Sequence, residues 1–195
     1  VICYTISSTP LQSKERGLPS EKISRVDAVE RFLNATATLL CSQTPSKLTL
    51  ADIAGQAGLG QHYIHRFFGT RLDLLIEVSE LLATRASKVL LEEIPQKTLS
   101  FDQFLKRCRS VCFLRIQLTQ YLSAQGVPEA RFQEGNREIY SAISEFFQCS
   151  GVPPTRVVSN AIVLLAFIHA EISLLPTFDL DMGELEDLIA LLMVA

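Results

Sequence analysis

One short signal, written three times, constrains this chain more than anything else in it. A hydroxyl residue followed three positions later by Asp occurs at Ser24/Asp27, Thr49/Asp52 and Thr70/Asp73. That is the spacing of a capping box with Asp in place of Glu, in which the hydroxyl accepts from a backbone N–H left unpaired in the first helical turn. An apolar pattern at helical period follows each one. After Ser24, Val26, Val29, Leu33, Thr36 and Leu40 recur at three- and four-residue steps, with Phe32 and Leu39 widening the stripe, which predicts a helix ending near Cys41. Thr49 opens a short helix, Leu50 to Ala57, broken by Gly58-Leu59-Gly60; a second short helix, Gln61 to Phe67, stops at Gly69. From Thr70 a long run passes through Leu72, Leu75, Ile76, Leu82 and Val89 to Ile94, and Pro95 ends it.

The remainder keeps the helical period. Phe101, Phe104, Leu105, Cys108, Cys112, Ile116 and Leu122 predict a helix over Phe101 to Ser123, with a break in its middle left open. Further helices are expected at Pro128 to Gln148, Pro154 to Leu175 and Met182 to Val194, separated by Gly126, Gly151 to Pro154 and Pro176 to Asp181. No internal repeat and no alternating strand series interrupts them, so the fold class is all-α.

With 195 residues, 48% of them hydrophobic and 20% charged, the chain can bury a sizeable core. The longest apolar stretch, Ala161 to Ile168, meets His169 and Glu171 well before the length of a membrane span, so no membrane helix is expected. Val1 to Leu18 has no basic start followed by an apolar run; residues 1–19 read as an arm, and the expected location is cytoplasmic. Five scattered cysteines, Cys3, Cys41, Cys108, Cys112 and Cys149, make a poor disulfide framework and fit reduced, mostly buried thiols. The net charge of −3 is unevenly spread: residues 1–85 carry nine Lys/Arg against eight Asp/Glu, and residues 86–195 carry nine against thirteen. The acidity belongs to the second part.

The segment from Thr49 to Arg71 has the layout of a helix-turn-helix: a capped helix, a Gly-containing turn and a short helix with a polar outer face. Ile53, Ala54 and Ala57 let the two helices approach closely, Gly58 permits the reversal, and Leu59 and Ile64 plug the joint. The order Thr49, Ile53-Ala54, Ala57-Gly58-Leu59, an aromatic-rich helix, Phe68-Gly69-Thr70 and then basic Arg71 resembles the signature of the tetracycline-repressor family, over roughly Asp27 to Leu82. The resemblance implies an N-terminal three-helix DNA-binding domain, residues 20–70, and a C-terminal helical ligand-binding and dimerisation domain, residues 71–195. It implies a homodimer that reads palindromic operator DNA with the second short helix in the major groove and is released by a small apolar or amphipathic inducer. Carried onto this sequence, Thr49 would cap its helix and donate to a phosphate, while Gln61, His62 and Tyr63 would meet base edges or backbone. His65 stands where the family usually has a phosphate-touching Tyr, Arg71 where it usually has a phosphate-touching Lys, and Arg66 adds a further contact. Gly60 replaces a usual Ser cap and His62 a small residue. With the near-neutral first part, these departures leave open a helical ligand-binding or protein-docking module with weak or no DNA binding. Lys14, Arg16, Lys22 and Arg25 are either arm contacts to DNA or solvated charges.

Phe104, Phe113, Gln117, Tyr121, Tyr140, Asn160 and Phe167 have the make-up of an apolar pocket with a few polar handles, and equally of an aromatic core. Cys108 and Cys112 share a helical face but lie within the apolar stripe. His62 and His65 also share a face, without a third ligand, so no metal and no cofactor is implied. His169, followed by Glu171, reads as a core histidine or a dimer-interface contact ahead of a pocket group. The usual enzyme motifs (a phosphate-cradling loop, a nucleophile elbow, HExxH) are absent, and catalysis is not expected. Pro154 to Leu175 is apolar nearly all round, and with Met182 to Val194 it reads as the dimer interface.

Overall fold

The computed structural model describes residues 23–94 and 100–174, and these residues form helices and connecting turns only. In order they are α1 (Arg25–Leu40), α2 (Leu50–Ala57), α3 (His62–Phe67), α4 (Arg71–Glu93), α5 (Phe101–Ala124), a 3₁₀ turn (Glu129–Phe132), α6 (Gln133–Cys149) and α7 (Pro154–Leu174). The caps expected from the sequence are present. The hydroxyls of Ser24, Thr49 and Thr70 accept from the backbone N–H of Asp27, Asp52 and Asp73, each at 3.1 Å. A fourth cap, not anticipated, opens α5: Gln103 N–H donates to Ser100 Oγ while Ser100 N–H donates to Gln103 Oε1 at 2.8 Å.

Two helices differ from expectation. α5 runs unbroken through its middle, and the helix expected from Pro128 begins as the 3₁₀ turn, with α6 proper starting at Gln133. The expected helix Met182 to Val194 and the arm 1–19 lie outside the described residues.

α1 to α3 form a small three-helix unit seated on the start of α4, which continues into a second body and packs there chiefly against α5 and α6, with α7 outside α6 and α5. Phe32, Ile53, Ile64, Leu74 and Leu75 are fully buried at the centre of the first unit. The α1 stripe is rotated from its expected position. Ala28, Phe32, Ala35, Thr36 and Leu40 are buried, whereas Val26 is 74% exposed. Val29 and Leu33 instead flank an open groove of about 490 Å³ with Phe68, Leu81 and Arg85. Small Ala28 and Ala35 allow α1 to lie close, and Phe32 rather than the valines supplies the bulk, its ring set edge-on to Phe68 at 6.2 Å.

The second body is organised around a charge. Arg115 of α5, 1% exposed, donates to Asn136 Oδ1 at 2.7 Å and to the Phe132 carbonyl at 2.9 Å, and lies 3.8 Å from Glu80 of α4. Glu80 in turn accepts from the Gly135 N–H at 2.6 Å. The start of α6 is thereby fixed on α4 and α5 by groups that burial obliges to pair. Burial, outweighing the attraction of Arg115, raises the Glu80 carboxyl above its ordinary range. Cys108 and Cys112 are fully buried in the same layer as expected, and burial pushes the Cys112 thiol up to about 12, so it stays protonated. Cys149, by contrast, is exposed.

Candidate nucleic-acid interface

The helix-turn-helix is built from local chemistry outward. Thr49 and Asp52 close a reciprocal box: Thr49 N–H donates to Asp52 Oδ2 at 3.1 Å and the Thr49 hydroxyl donates to the same oxygen at 2.6 Å. These bonds hold the Asp52 carboxyl below its ordinary range. They also commit the Thr49 hydroxyl proton to the cap. Gly58 takes the left-handed conformation, φ 65°, that lets the chain leave α2, and its N–H and that of Leu59 bond back to Gly55 and Ala54. Ile64, fully buried, then anchors α3 on the Ile53 side of the joint.

With Ile64 inward and Tyr63 and Phe67 half-buried against the core, the polar residues of this segment turn outward. Gln61, His62, His65 and Arg66 are exposed. Tyr63 is half-buried, its ring stacked on Phe67 at 5.6 Å and against His62 at 4.2 Å. His65 Nδ1 lies 3.2 Å from the Gly69 carbonyl. Because a carbonyl only accepts, Nδ1 carries the proton, and Nε2 faces outward as the open position of the ring. The Arg66 guanidinium rests over the Phe67 ring at 5.8 Å, and Arg25 from the start of α1 lines the same surface hollow as Tyr63 and Arg66. Arg31, exposed on α1 and lining a neighbouring hollow with Tyr63, is a further cation here that the sequence reading did not single out. Its only sequence signal is its charge, which acquires a position once α1 is folded beside α3.

Gly60 and His62 belong together. α3 starts without a side-chain cap, and a Cβ on Gly60 would meet the His62 ring at 2.6 Å. The imidazole folds back over the turn because residue 60 has no side chain.

Arg71 is turned away from this surface. Its Nε donates to the Leu48 carbonyl at 3.0 Å, one terminal nitrogen donates to the Tyr121 hydroxyl at 2.9 Å, and the other donates to the Pro45 carbonyl. The Tyr121 ring also lies under the guanidinium, 5.6 Å away. The position expected to hold a phosphate therefore holds the α1–α2 loop and α5.

The residues named for a pocket are not brought onto one wall. Phe104 is 1% exposed and stacked on Phe146 at 3.6 Å, a core pair. Tyr121, seventeen residues further along α5, lies about 25 Å away along its axis. Phe113, Gln117 and Tyr121, at four-residue steps, form a half-buried stripe on one side of α5. Tyr140 donates to the Val158 carbonyl at 3.4 Å, Asn160 is half-buried on α7, and Phe167 is 49% exposed beside the Arg109 guanidinium. Burial lowers the proton affinity of His169, and Glu171 pairs with Arg109 at 2.6 Å. Among the described residues no cluster of three His, Cys, Asp or Glu has the arrangement of a metal site.

α7 carries a second surface. Val158, Ile162, Val163 and Phe167 are each about half exposed or more and lie on one side of the helix, while Val157, Ala161, Leu164, Ile168 and Ile172 are buried on the other. Against the sequence expectation, Pro154–Ser173 is long and apolar enough to cross a membrane by length and composition. Its inner face nevertheless packs on α6 and α5, and Glu171 is held there by its ion pair with Arg109.

No family model matches this chain, and no curated protein matches its sequence. Solved structures do match its fold. A protein described as a transcriptional regulator from Rhodococcus sp. RHA1 aligns over 86% of this chain and 94% of its own, with a TM-score of 0.63 and 11% identity. A TetR-family transcriptional regulator from Rhodococcus sp. aligns over 87% and 96%, at 0.56 and 18%. The fatty acid degradation regulator FadR from Bacillus halodurans aligns over 92% and 97%, at 0.56 and 13%. The fold is that of TetR-type regulators: an N-terminal helix-turn-helix unit followed by a larger helical body.

Proposed function

We propose, from the premise that this chain has a TetR-type fold, that it is a ligand-responsive transcriptional regulator, a repressor that binds palindromic operator DNA as a homodimer. The observation that carries the reading is the presentation of α3. One buried residue, Ile64, anchors it, and Gln61, His62, His65 and Arg66 stand outward on a helix held rigidly by the capped α2 and the Gly58 turn. A short, polar-faced helix so supported fits a major groove. Gln61, His62 and Tyr63 supply base contacts, Nε2 of His65 accepts from a base-edge amino group, the guanidinium of Arg66 reaches base edges or phosphates, and Arg25 and Arg31 add backbone contacts from α1. Thr49 contributes by holding the start of α2 in place, since Asp52 accepts from both its N–H and its hydroxyl.

Residues 20–70 form the DNA-binding part and residues 71–195 the ligand-binding and dimerisation part. The exposed apolar side of α7 is covered by α7 of a second copy; a stripe of this size left in water favours association. The inducer is small and apolar or amphipathic, taken on the Phe113, Gln117, Tyr121 side of α5. That one structural neighbour regulates fatty acid degradation accords with this chemistry. The site is cytoplasmic in keeping with operator binding.

Selection of genomic fragments with the purified protein, followed by titration of the selected duplex at two salt concentrations, tests the reading. A palindromic, salt-sensitive site, weakened by Arg66→Ala with a smaller dependence on salt, supports it. Failure to enrich any sequence turns the reading to a protein-docking module, which the near-neutral charge of residues 1–85 and the inward turn of Arg71 favour.

A further inference from the structure

Arg71 joins three parts of the molecule that are distant in sequence. It is the first residue of α4, its partners Pro45 and Leu48 lie in the loop that leads into α2, and its partner Tyr121 lies near the end of α5. Every nitrogen of the guanidinium has a partner in this arrangement, and two of the three partners are backbone carbonyls of the loop that leads into α2. A planar fork with donors in three directions suits such a joint, whereas an ammonium on a flexible stem does not.

We propose that Arg71 is a positioning residue, not a phosphate ligand: it fixes the loop that carries Thr49 and α2 to Tyr121 of the second body, so that the placement of the helix-turn-helix is set through α5. The proposal rests on the DNA-binding reading for its consequence and deepens it. Tyr121 ends the half-buried stripe that begins at Phe113, so a ligand lying along that stripe displaces the hydroxyl that Arg71 holds, and the loop before α2 follows. A second contact runs parallel to it: Arg131 of the 3₁₀ turn donates to Asp73, two residues into α4, at 3.0 Å. The last turns of α5 and the 3₁₀ turn that follows thus each hold the start of α4.

Two mild variants separate a joint from a phosphate contact. Arg71→Lys keeps the charge that a phosphate would need but loses the fork; Tyr121→Phe keeps the ring and removes only the hydroxyl, away from the α3 surface. The joint predicts that each weakens operator binding about three- to tenfold, as loss of one or two hydrogen bonds would. The slope of affinity against salt stays that of the parent, and the double variant binds no more weakly than the worse single one. The joint is overturned if Arg71→Lys and Tyr121→Phe both bind as the parent does while Arg71→Gln reduces the salt slope by about one per recognition helix. A readout without DNA is amide exchange at Lys47, whose N–H is bonded to the Thr44 carbonyl within the loop. Faster exchange in Tyr121→Phe and Arg71→Lys supports the joint, and unchanged exchange in both overturns it. If the parent protein binds no duplex, the DNA reading fails, and the joint stands or falls on the exchange result alone.

Discussion

At the scale of single residues, two glycines show how differently the same residue type can matter. Gly58 occupies the left-handed region with open space where a Cβ would stand. Gly135 sits inside the helix α6, where a Cβ would lie 2.5 Å from Cβ of Ala83 and 2.7 Å from a terminal nitrogen of Arg115. Gly58→Ala should therefore cost about 1 kcal/mol of backbone strain and nothing in packing. Gly135→Ala should cost about 1–3 kcal/mol, because α6 must back away from α4 and the Arg115 bonds to Phe132 and Asn136 must lengthen. Denaturant unfolding of both variants checks this, and an Ala at 135 that unfolds like the parent would show that α6 is not held by the buried arginine.

Charge at the residue scale has a sign that can be tested. The Thr70 hydroxyl, and after it Arg131, hold the Asp73 carboxyl below its ordinary range. A carboxylate depressed in the folded state contributes stability that is full above the ordinary aspartate range and is lost as pH falls through the lower folded value. Glu80 is shifted the other way, so its contribution is greatest where it is protonated and declines as pH rises through its raised folded value. The difference in unfolding free energy between the parent and Asp73→Asn should accordingly shrink as pH falls below the aspartate range. A pH series of unfolding curves reads it out, and a constant difference would mean that the Thr70 and Arg131 bonds do not favour the ionised form.

At the scale of elements, the helices are set by their ends. α2 has only eight residues, too few for a helix to persist by propensity alone, and it depends on the Thr49/Asp52 box, the Gly58 exit and burial of Ile53. Thr49→Ala removes the acceptor for the Asp52 N–H and should destabilise the protein by about 1 kcal/mol, seen as a lower midpoint with an unchanged slope in urea. The bounds of α2 follow from these signals, and Leu50 to Ala57 is recovered residue for residue from the sequence. α3 begins one residue later than the sequence suggests because Gln61 is its cap. The Ser100/Gln103 box is written in the sequence as well, since hydroxyl and amide stand at the same spacing as the three Asp signals. The rotation of α1 was not readable: valine and phenylalanine both count as apolar in a periodic pattern, and only contact with Phe68 and α4 selects which of them faces inward.

At the scale of the whole molecule, the exposed side of α7 is the feature that a single chain leaves unresolved in water. Val163 is 66% exposed at its centre. On the proposed α7 pairing, Val163→Glu should convert a dimer into monomers in sedimentation velocity, with unfolding of the monomer little changed because Val163 is mostly exposed. On the proposed operator-bound dimer, affinity should then fall steeply, since two half-sites would be held together by one interface. A variant that sediments as the parent does would place the interface elsewhere.

What the sequence determined by itself is whatever depends on residues within about four positions of one another: where helices start and stop, the Gly58 reversal, and the outward polar face of α3. Hydrogen bonds that a hydroxyl oxygen accepts from an N–H three residues on, and the steric freedom of glycine, act at that range and need no tertiary context. Tertiary structure alone decided the inward turn of Arg71, the burial of Arg115 among Glu80, Phe132 and Asn136, and the stacking of Phe104 on Phe146. The Arg71 bonds span 23 to 50 residues of sequence and the Arg115 contacts 17 to 35. A long flexible cation shows nothing of its partner until folding has brought a carbonyl, a hydroxyl or a carboxylate within 3 to 4 Å and excluded the water that would otherwise satisfy it.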